Sequence, residues 1–337
     1  MNMGKTITLA ELKPGDIVLF SVPKKSWESW LIAFFTKSKV SHTGMVNKNP
    51  GYILQEIPEH ATSLAIPASG TRTLYIRRLK SAPDTSKVAE IAQKYVDEEL
   101  PYPMSNLAFL GLYILASDFM PNNATGKLIE CVLKTAAFAV MEFVNKKLHP
   151  GTEVPPMVCS QFAAACYDEA ALKYGPEYKI HYNDDVSSVK SLLHKIIEQL
   201  EGEDKTYSLE NEPAPLLGAA NGTNDSEFYC EQLAKEIQNQ EKTPVLTAER
   251  SISDSLIASF YQYGKGLLKL FGDKTDYPDK KEATAEEIKK VLEELLRIQE
   301  AFVTPGDLLS NTTNLEDMGI LTYTDDERKK YVDPKDL

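Results

Sequence analysis

The stretch SHTGMV at residues 41–46 places a histidine directly before a short apolar run. A second stretch, MVCSQF at residues 157–162, places a cysteine where a helix is expected to begin. A cysteine hydrolase requires both residue types, because the thiolate is the nucleophile and a free thiol is only slightly ionised near neutral pH. A nearby imidazole can accept the thiol proton. We therefore take His42 as the candidate base and Cys159 as the candidate nucleophile.

Residues 1–80 are β-rich and are predicted to form an antiparallel meander. Short apolar runs alternate with turn signals such as NKNPG at 47–51. The runs lie at residues 17–20, 43–46, 52–57 and 73–79. In the third run, strand alternation puts Gln55 and Glu56 on opposite faces, so only one of them can orient His42.

Cys159 is predicted to lie in the first turn of a helix, because the prolines at 155–156 stop the preceding segment and an Ala-rich run follows at 158–172. Unpaired backbone N–H groups and the helix dipole lower a thiol pKa at this position and can receive an oxyanion. Cys166 is instead expected to be a core residue. FYCEQL at 228–233 is a rival cysteine motif, but it has no prolines ahead of it, and this context favours Cys159.

Two apolar helical segments, 106–119 and 127–148, precede the cysteine. A membrane span needs about 20 consecutive apolar residues. The first segment is too short, and the second is interrupted by charged residues. A buried helical hairpin is therefore expected, and the alternative is a surface that contacts lipid or an acyl chain through 106–148.

Composition excludes several classes of function. The chain has 337 residues and a formal net charge of -12, which argues against nucleic-acid binding because phosphate recognition needs a basic surface. The sequence contains no nucleotide-binding loop, dinucleotide fingerprint or metal-ligand spacing, so no cofactor and no metal are expected. The first residues lack the apolar core of a signal peptide, which predicts a cytoplasmic protein with reduced cysteines.

Taken together, these segments resemble the YiiX-like, NlpC-related group of circularly permuted papain-fold cysteine hydrolases, relatives of the lecithin:retinol acyltransferase group. The matching motifs are PGDIVLF at 14–20, SHTGMV at 41–46, ILQEIP at 53–58 and VCSQF at 158–162. TPGDLLS at 304–310 resembles the element that closes the domain in this family. The histidine precedes the cysteine, the reverse of the papain order, and this inversion indicates the permuted branch.

The resemblance implies an α+β fold, with a permuted papain-like antiparallel sheet packed on helices and large helical insertions. It makes Cys159 the nucleophile and His42 the base. Gln55 falls on the third polar position, with Glu56 as second choice. The candidate substrate-binding residues are Ser41, Tyr102 and Ser160.

The chain is then divided into a catalytic core at 1–172, which includes an apolar helical insertion at 103–156, and a mostly helical insertion at 173–300. A mobile linker rich in Gly, Asn, Glu and Pro is expected at about 201–227. Residues 301–337 are expected to return to the core.

The predicted reaction is cleavage of amide, peptide-like bonds through a Cys159 thioester, with His42 as general base. Two alternatives stay open: a lipid acyl hydrolase or acyltransferase that uses the same pair, and a non-catalytic binding protein on this fold. The expected ligand is a small peptide-like or acyl substrate, and the sequence makes no prediction of oligomeric state.

Overall fold

The computed structural model describes residues 4–57, 60–80, 82, 84–99, 106–147, 159–183, 190–209, 225–242, 251–271, 280–300 and 302–337. Helices and strands are mixed along the chain, so the predicted α+β class is confirmed. The strands among these residues are β1 (Thr6–Thr8), β2 (Ile17–Ser21), β3 (Val40–Val46), β4 (Tyr52–Ile57), β5 (His60–Ala65), β6 (Leu74–Leu79), β7 (Thr206–Ser208), β8 (Glu282–Thr284) and β9 (Leu315–Thr322).

The helices alternate with these strands and dominate the second half of the chain. They are α1 (Trp27–Phe35), α2 (Ser86–Asp97), α3 (Asn106–Ala116), α4 (Asn123–Lys147), α5 (Cys159–Tyr174), α6 (Leu192–Leu200), α7 (Asp225–Lys242), α8 (Asp254–Phe271), α9 (Ala285–Glu300), α10 (Pro305–Ser310) and α11 (Asp325–Arg328).

The main sheet has the strand order β1-β9-β6-β2-β3-β4-β5. The expectation of a wholly antiparallel sheet is wrong, because β1 runs parallel to β9, with Thr6 opposite Ile320. These two strands come from opposite ends of the chain, so no hairpin constrains their relative direction. Strand β5 was not predicted; its run HATSLA alternates only weakly between apolar and polar residues.

Part of the predicted linker at 201–227 is ordered as a strand. Strand β7 pairs with β8 in a small antiparallel sheet, with Tyr207 opposite Ala283. Tyr207 is buried in the helical core, which explains why a short polar segment holds this position. The predicted linker therefore contains a short strand at Thr206–Ser208, and its mobility stays a prediction.

The two faces of the main sheet are covered by different parts of the chain. One face, which carries Leu19 and Met45, packs against α2 and α5. The other face, which carries Val18 and Ile53, packs against residues from both chain ends, including Val332. The C-terminal tail is thus partly built into the core.

The helices α1, α3, α4 and α6–α9 enclose a separate apolar cluster. The described side chains of α3 from Phe109 to Leu115 lie in or beside this cluster, and its large apolar ones are buried there. A helical hairpin buried in protein is therefore observed for α3 and α4, although Phe138 of α4 is 71% exposed. Among the described residues, no helix combines the length and apolar character needed to cross a membrane.

The turn before β2 fixes the position of α5. Gly15 has a φ of 85°, and a Cβ there would lie 2.4 Å from the carbonyl oxygen of Thr85, so glycine is required. The hydroxyl of Tyr167 on α5 donates to the Gly15 carbonyl at 2.7 Å. Arg78 donates to both carboxylate oxygens of the fully buried Asp16, at 2.7 and 2.6 Å.

Candidate active site

The candidate nucleophile occupies a gap between two strands. Cys159 is the first residue of α5 and is 5% exposed. Strand β3 pairs with β4 only from Gly44 onward, so the start of β3 has an edge that β4 does not cover. The Cys159 thiol accepts hydrogen bonds from the backbone N–H groups of Thr43 and Ser160. The nucleophile is therefore held against the residue that follows His42.

His42 is oriented by the predicted third residue. The Nε2 of His42 lies 2.7 Å from Oε1 of Gln55. Because a carbonyl oxygen only accepts, Nε2 is the donor and Nδ1 is left as the basic nitrogen. The ring of His42 also packs on Phe20, with 5.2 Å between ring centroids.

Glu56, the second choice for the third residue, points to the opposite face of β4. It is 2% exposed, and its Oε2 has no hydrogen-bond partner among the described residues. Burial raises the pKa of Glu56 to about 8, so the acid is neutral at neutral pH. Gln55 rather than Glu56 therefore holds His42.

Burial reverses the expected ionisation of the pair. Desolvation raises the pKa of Cys159 to about 11, against the two backbone N–H bonds that lower it. Desolvation also lowers the pKa of His42 to about 4, although its bond to Gln55 acts in the other direction. The expectation of a lowered thiol pKa is wrong for the free protein, because this helix N-terminus is buried. At neutral pH the resting pair is a thiol beside a neutral imidazole.

Arg72 is a site residue that the sequence reasoning missed. Its Nε donates to the carbonyl oxygen of Ser21 at 2.8 Å, and its Nη2 donates to the same oxygen. Its guanidinium lies 5.1 Å from the centroid of the Phe20 ring, the ring that also contacts His42. Its charge acts on both His42 and Cys159. Residues 71–73 read TRT and belong to no motif, so only tertiary structure reveals this cation.

The structure places the predicted substrate-binding residues in different surroundings. Ser41 is buried, and its Oγ lies 3.5 Å from Nη2 of Arg72. Ser160 is fully buried, donates to the carbonyl of Val303 at 2.7 Å and also bonds Tyr113. Its hydroxyl fastens the start of α5 to the C-terminal segment, and the substrate contact of Ser160 stays a prediction. Tyr102 lies outside the described residues.

Two other cysteines are buried in apolar clusters. Cys166 lies on α5 and is fully buried, and burial raises its pKa well above the ordinary range. Cys230, the centre of the rival motif, is buried in the helical cluster. Within the part of the chain that the structure describes, no group of His, Cys, Asp and Glu side chains is placed to hold a metal ion.

Comparisons with known proteins assign no family to the chain. No family model matches it. A search of curated proteins also finds no match.

Proposed function

We propose that this protein is a cysteine hydrolase that cleaves amide bonds of peptide-like substrates through a thioester on Cys159. One observation carries the proposal: the residue next to His42 donates its backbone N–H to the Cys159 thiol, while Gln55 orients the His42 ring. The nucleophile is thus bonded to the residue next to the base, and the base is bonded to its orienting group. We also propose that the finer fold is the permuted papain-like one, since a strand that carries the histidine precedes the helix that carries the cysteine.

The first step forms the thioester. The sulfur of Cys159 attacks the amide carbonyl carbon while Nδ1 of His42 accepts the thiol proton. The carbonyl oxygen becomes an oxyanion, for which the backbone N–H of Cys159 in the first turn of α5 is a suitable donor. When the intermediate collapses, the C–N bond breaks and His42 passes its proton to the leaving amine.

The second step releases the acid. A water molecule attacks the thioester carbonyl, and His42 accepts one of its protons. The C–S bond then breaks, the proton returns to the sulfur, and the free thiol is restored. A neutral thiol and a neutral imidazole are the correct starting state for this cycle, because the base must be unprotonated when attack begins.

No observation favours the lipid alternative over the amide one. The large apolar side chains of α3 that would line an acyl groove lie inside the helical cluster. The cytoplasmic location stays a prediction.

The test is to trap the thioester. The full-length protein is incubated separately with muropeptides and with phosphatidylcholine vesicles, and intact mass and peptide mapping locate any acyl group. We expect an acyl group on Cys159 from muropeptides, absent in Cys159→Ala and retained in the matched variant Cys166→Ala. Acylation by the vesicles alone would support the lipid alternative, and a lack of acylation by either would support a binding protein.

A further inference from the structure

Arg72 is a cation without a counter-ion at the candidate active site. Among the described residues, no carboxylate lies within ion-pair distance of its guanidinium, although the chain carries a net charge of -12. The two arginines of β6 are paired: Arg78 with Asp16 and Arg77 with Asp317. A half-buried guanidinium with unused N–H donors is suited to bind the oxygens of a ligand anion.

The guanidinium is held in place before any ligand arrives. Its bonds to the described residues use Nε and Nη2: both donate to the carbonyl oxygen of Ser21 at the end of β2, and Nη2 also donates to Oγ of Ser41 at 3.5 Å. Nη1 makes no hydrogen bond with the described residues. One edge of the fork is therefore anchored, and Nη1 keeps its two N–H donors for an acceptor from outside.

The position of this cation ties it to the reacting pair. Phe20 lies between Arg72 and His42 and contacts both, at 5.1 Å and 5.2 Å. Arg72 also interacts electrostatically with the Cys159 thiol. A substrate group bound at Nη1 would accordingly sit close to the carbonyl that Cys159 attacks.

We propose that Arg72 binds an anionic oxygen group of the substrate, a carboxylate or a phosphate, on the acyl side of the bond that Cys159 attacks. The proposal rests on the proposed function and narrows its substrates to anionic acyl compounds. A guanidinium recognises carboxylate and phosphate oxygens through charge-assisted hydrogen bonds, and the partly desolvated setting strengthens them. Arg72 is therefore a specificity residue, distinct from the pair that performs the chemistry.

The test uses three p-nitrophenyl esters of matched chain length: hexanoate, which is neutral, the monoester of adipate, which carries a carboxylate, and the ester of 6-phosphonohexanoate. The kcat/KM of each is measured after subtraction of the Cys159→Ala rate. We expect the wild type to prefer at least one anionic ester over hexanoate by about tenfold or more. The preferred ester identifies the anion as carboxylate or phosphate.

Variants then show whether Arg72 causes the preference for the anionic ester. Arg72→Gln is expected to bring the anionic-to-neutral ratio close to one, Arg72→Lys to keep part of it because the charge remains, and the matched control Arg77→Gln to keep the wild-type ratio. Melting temperatures check that each variant folds. If Arg72→Gln does not fold, the wild-type ratio and the lysine variant decide.

Two results would overturn the proposal, and they are distinguishable. Hydrolysis of all three esters through Cys159 with no preference for an anion, or a preference that survives Arg72→Gln, would remove the role of Arg72 and leave the proposed function standing. Absence of any Cys159-dependent hydrolysis would remove both.

Discussion

The sheet region and the helical region bury polar groups in different ways. In the helical region, the buried hydroxyls of Ser117 and Ser259 bond carbonyls of their own helices. In the sheet region, the buried acid Asp16 accepts the backbone N–H of Lys13 and is paired across the chain by Arg78, whereas Glu56 has an oxygen with no hydrogen-bond partner among the described residues.

The difference indicates that the sheet region contains buried polar groups that lower the stability of the folded protein. A hydroxyl that bonds its own helix costs little, whereas a buried carboxyl without a full set of partners is unfavourable. Such groups cluster at functional sites. Thr43, whose hydroxyl oxygen also has no partner in the part of the chain that the structure describes, lies beside Cys159. The helical region supplies stability, and the sheet region carries the site of the proposed chemistry.

The largest expected effect distinguishes two histidines, one in each region. His42→Ala removes the base, and we expect hydrolysis of p-nitrophenyl hexanoate to fall by about a hundredfold to ten-thousandfold. His194→Ala is the matched control, because His194 bonds Ser191 in the helical region. Steady-state rates measure both, and similar losses in the two variants would contradict the division of roles.

Truncation of a core side chain in the helical region tests the same division of roles between the two regions. Leu292 is fully buried in the helical cluster, so Leu292→Ala should lower the free energy of unfolding by about 2–5 kcal/mol. The rate per folded molecule should stay at the wild-type value, measured below the melting transition. A loss of kcat in the folded variant would show that the helical region takes part in the chemistry.

Substitution of Gln55 tests whether this residue orients His42 or only supports the fold. Gln55→Ala should reduce kcat by about tenfold to a hundredfold, since the imidazole loses its orienting bond but is still present. The bond to Gln55 raises the pKa of His42, so its loss should move the acid limb of the pH–rate profile to lower pH. Glu56→Gln is the neighbouring control, and an unmoved acid limb in Gln55→Ala would indicate a purely structural role.

The smallest expected effect is a pH dependence of stability from Glu56. Its pKa is about 8 in the folded protein and 4.5 ordinarily, so the folded state holds a proton that the unfolded chain has released. The free energy of unfolding should therefore fall as pH rises through this window, by about 1.4 kcal/mol per pH unit.

His42 acts with the opposite sign at lower pH. Its pKa of about 4 lies below the ordinary 6.5, so its contribution to stability rises with pH between these values.

Denaturant titrations between pH 7 and 8 isolate the contribution of Glu56, and the slope of the unfolding free energy against pH should disappear in Glu56→Gln. An unchanged slope in that variant would show that Glu56 is not the titrating group.

Much of the local structure followed from neighbouring residues. The expected helix start near residue 158 is the start of α5 at Cys159. Strand alternation correctly separated Gln55 and Glu56. These features depend on periodicity and turn chemistry, which act over a few residues.

The pairing across the chain required tertiary structure. The parallel pairing of β1 with β9 joins the two ends of the chain, and β5 forms on a sequence with little strand signal. Arg72 reached the site through the folding of a loop that carries no motif. Such contacts depend on which surfaces pack together, and no short sequence window contains that information.

By itself, the sequence predicted a histidine at the start of a strand and a cysteine at the start of a helix, with one polar residue of β4 available to the histidine; the histidine in fact lies within β3. Only the tertiary structure decided that Gln55 is that residue, that Arg72 stands beside the pair, and that Cys159 rests as a neutral thiol. The reason is physical: residue type and spacing set local conformation, whereas burial and the partners around a group set its charge state.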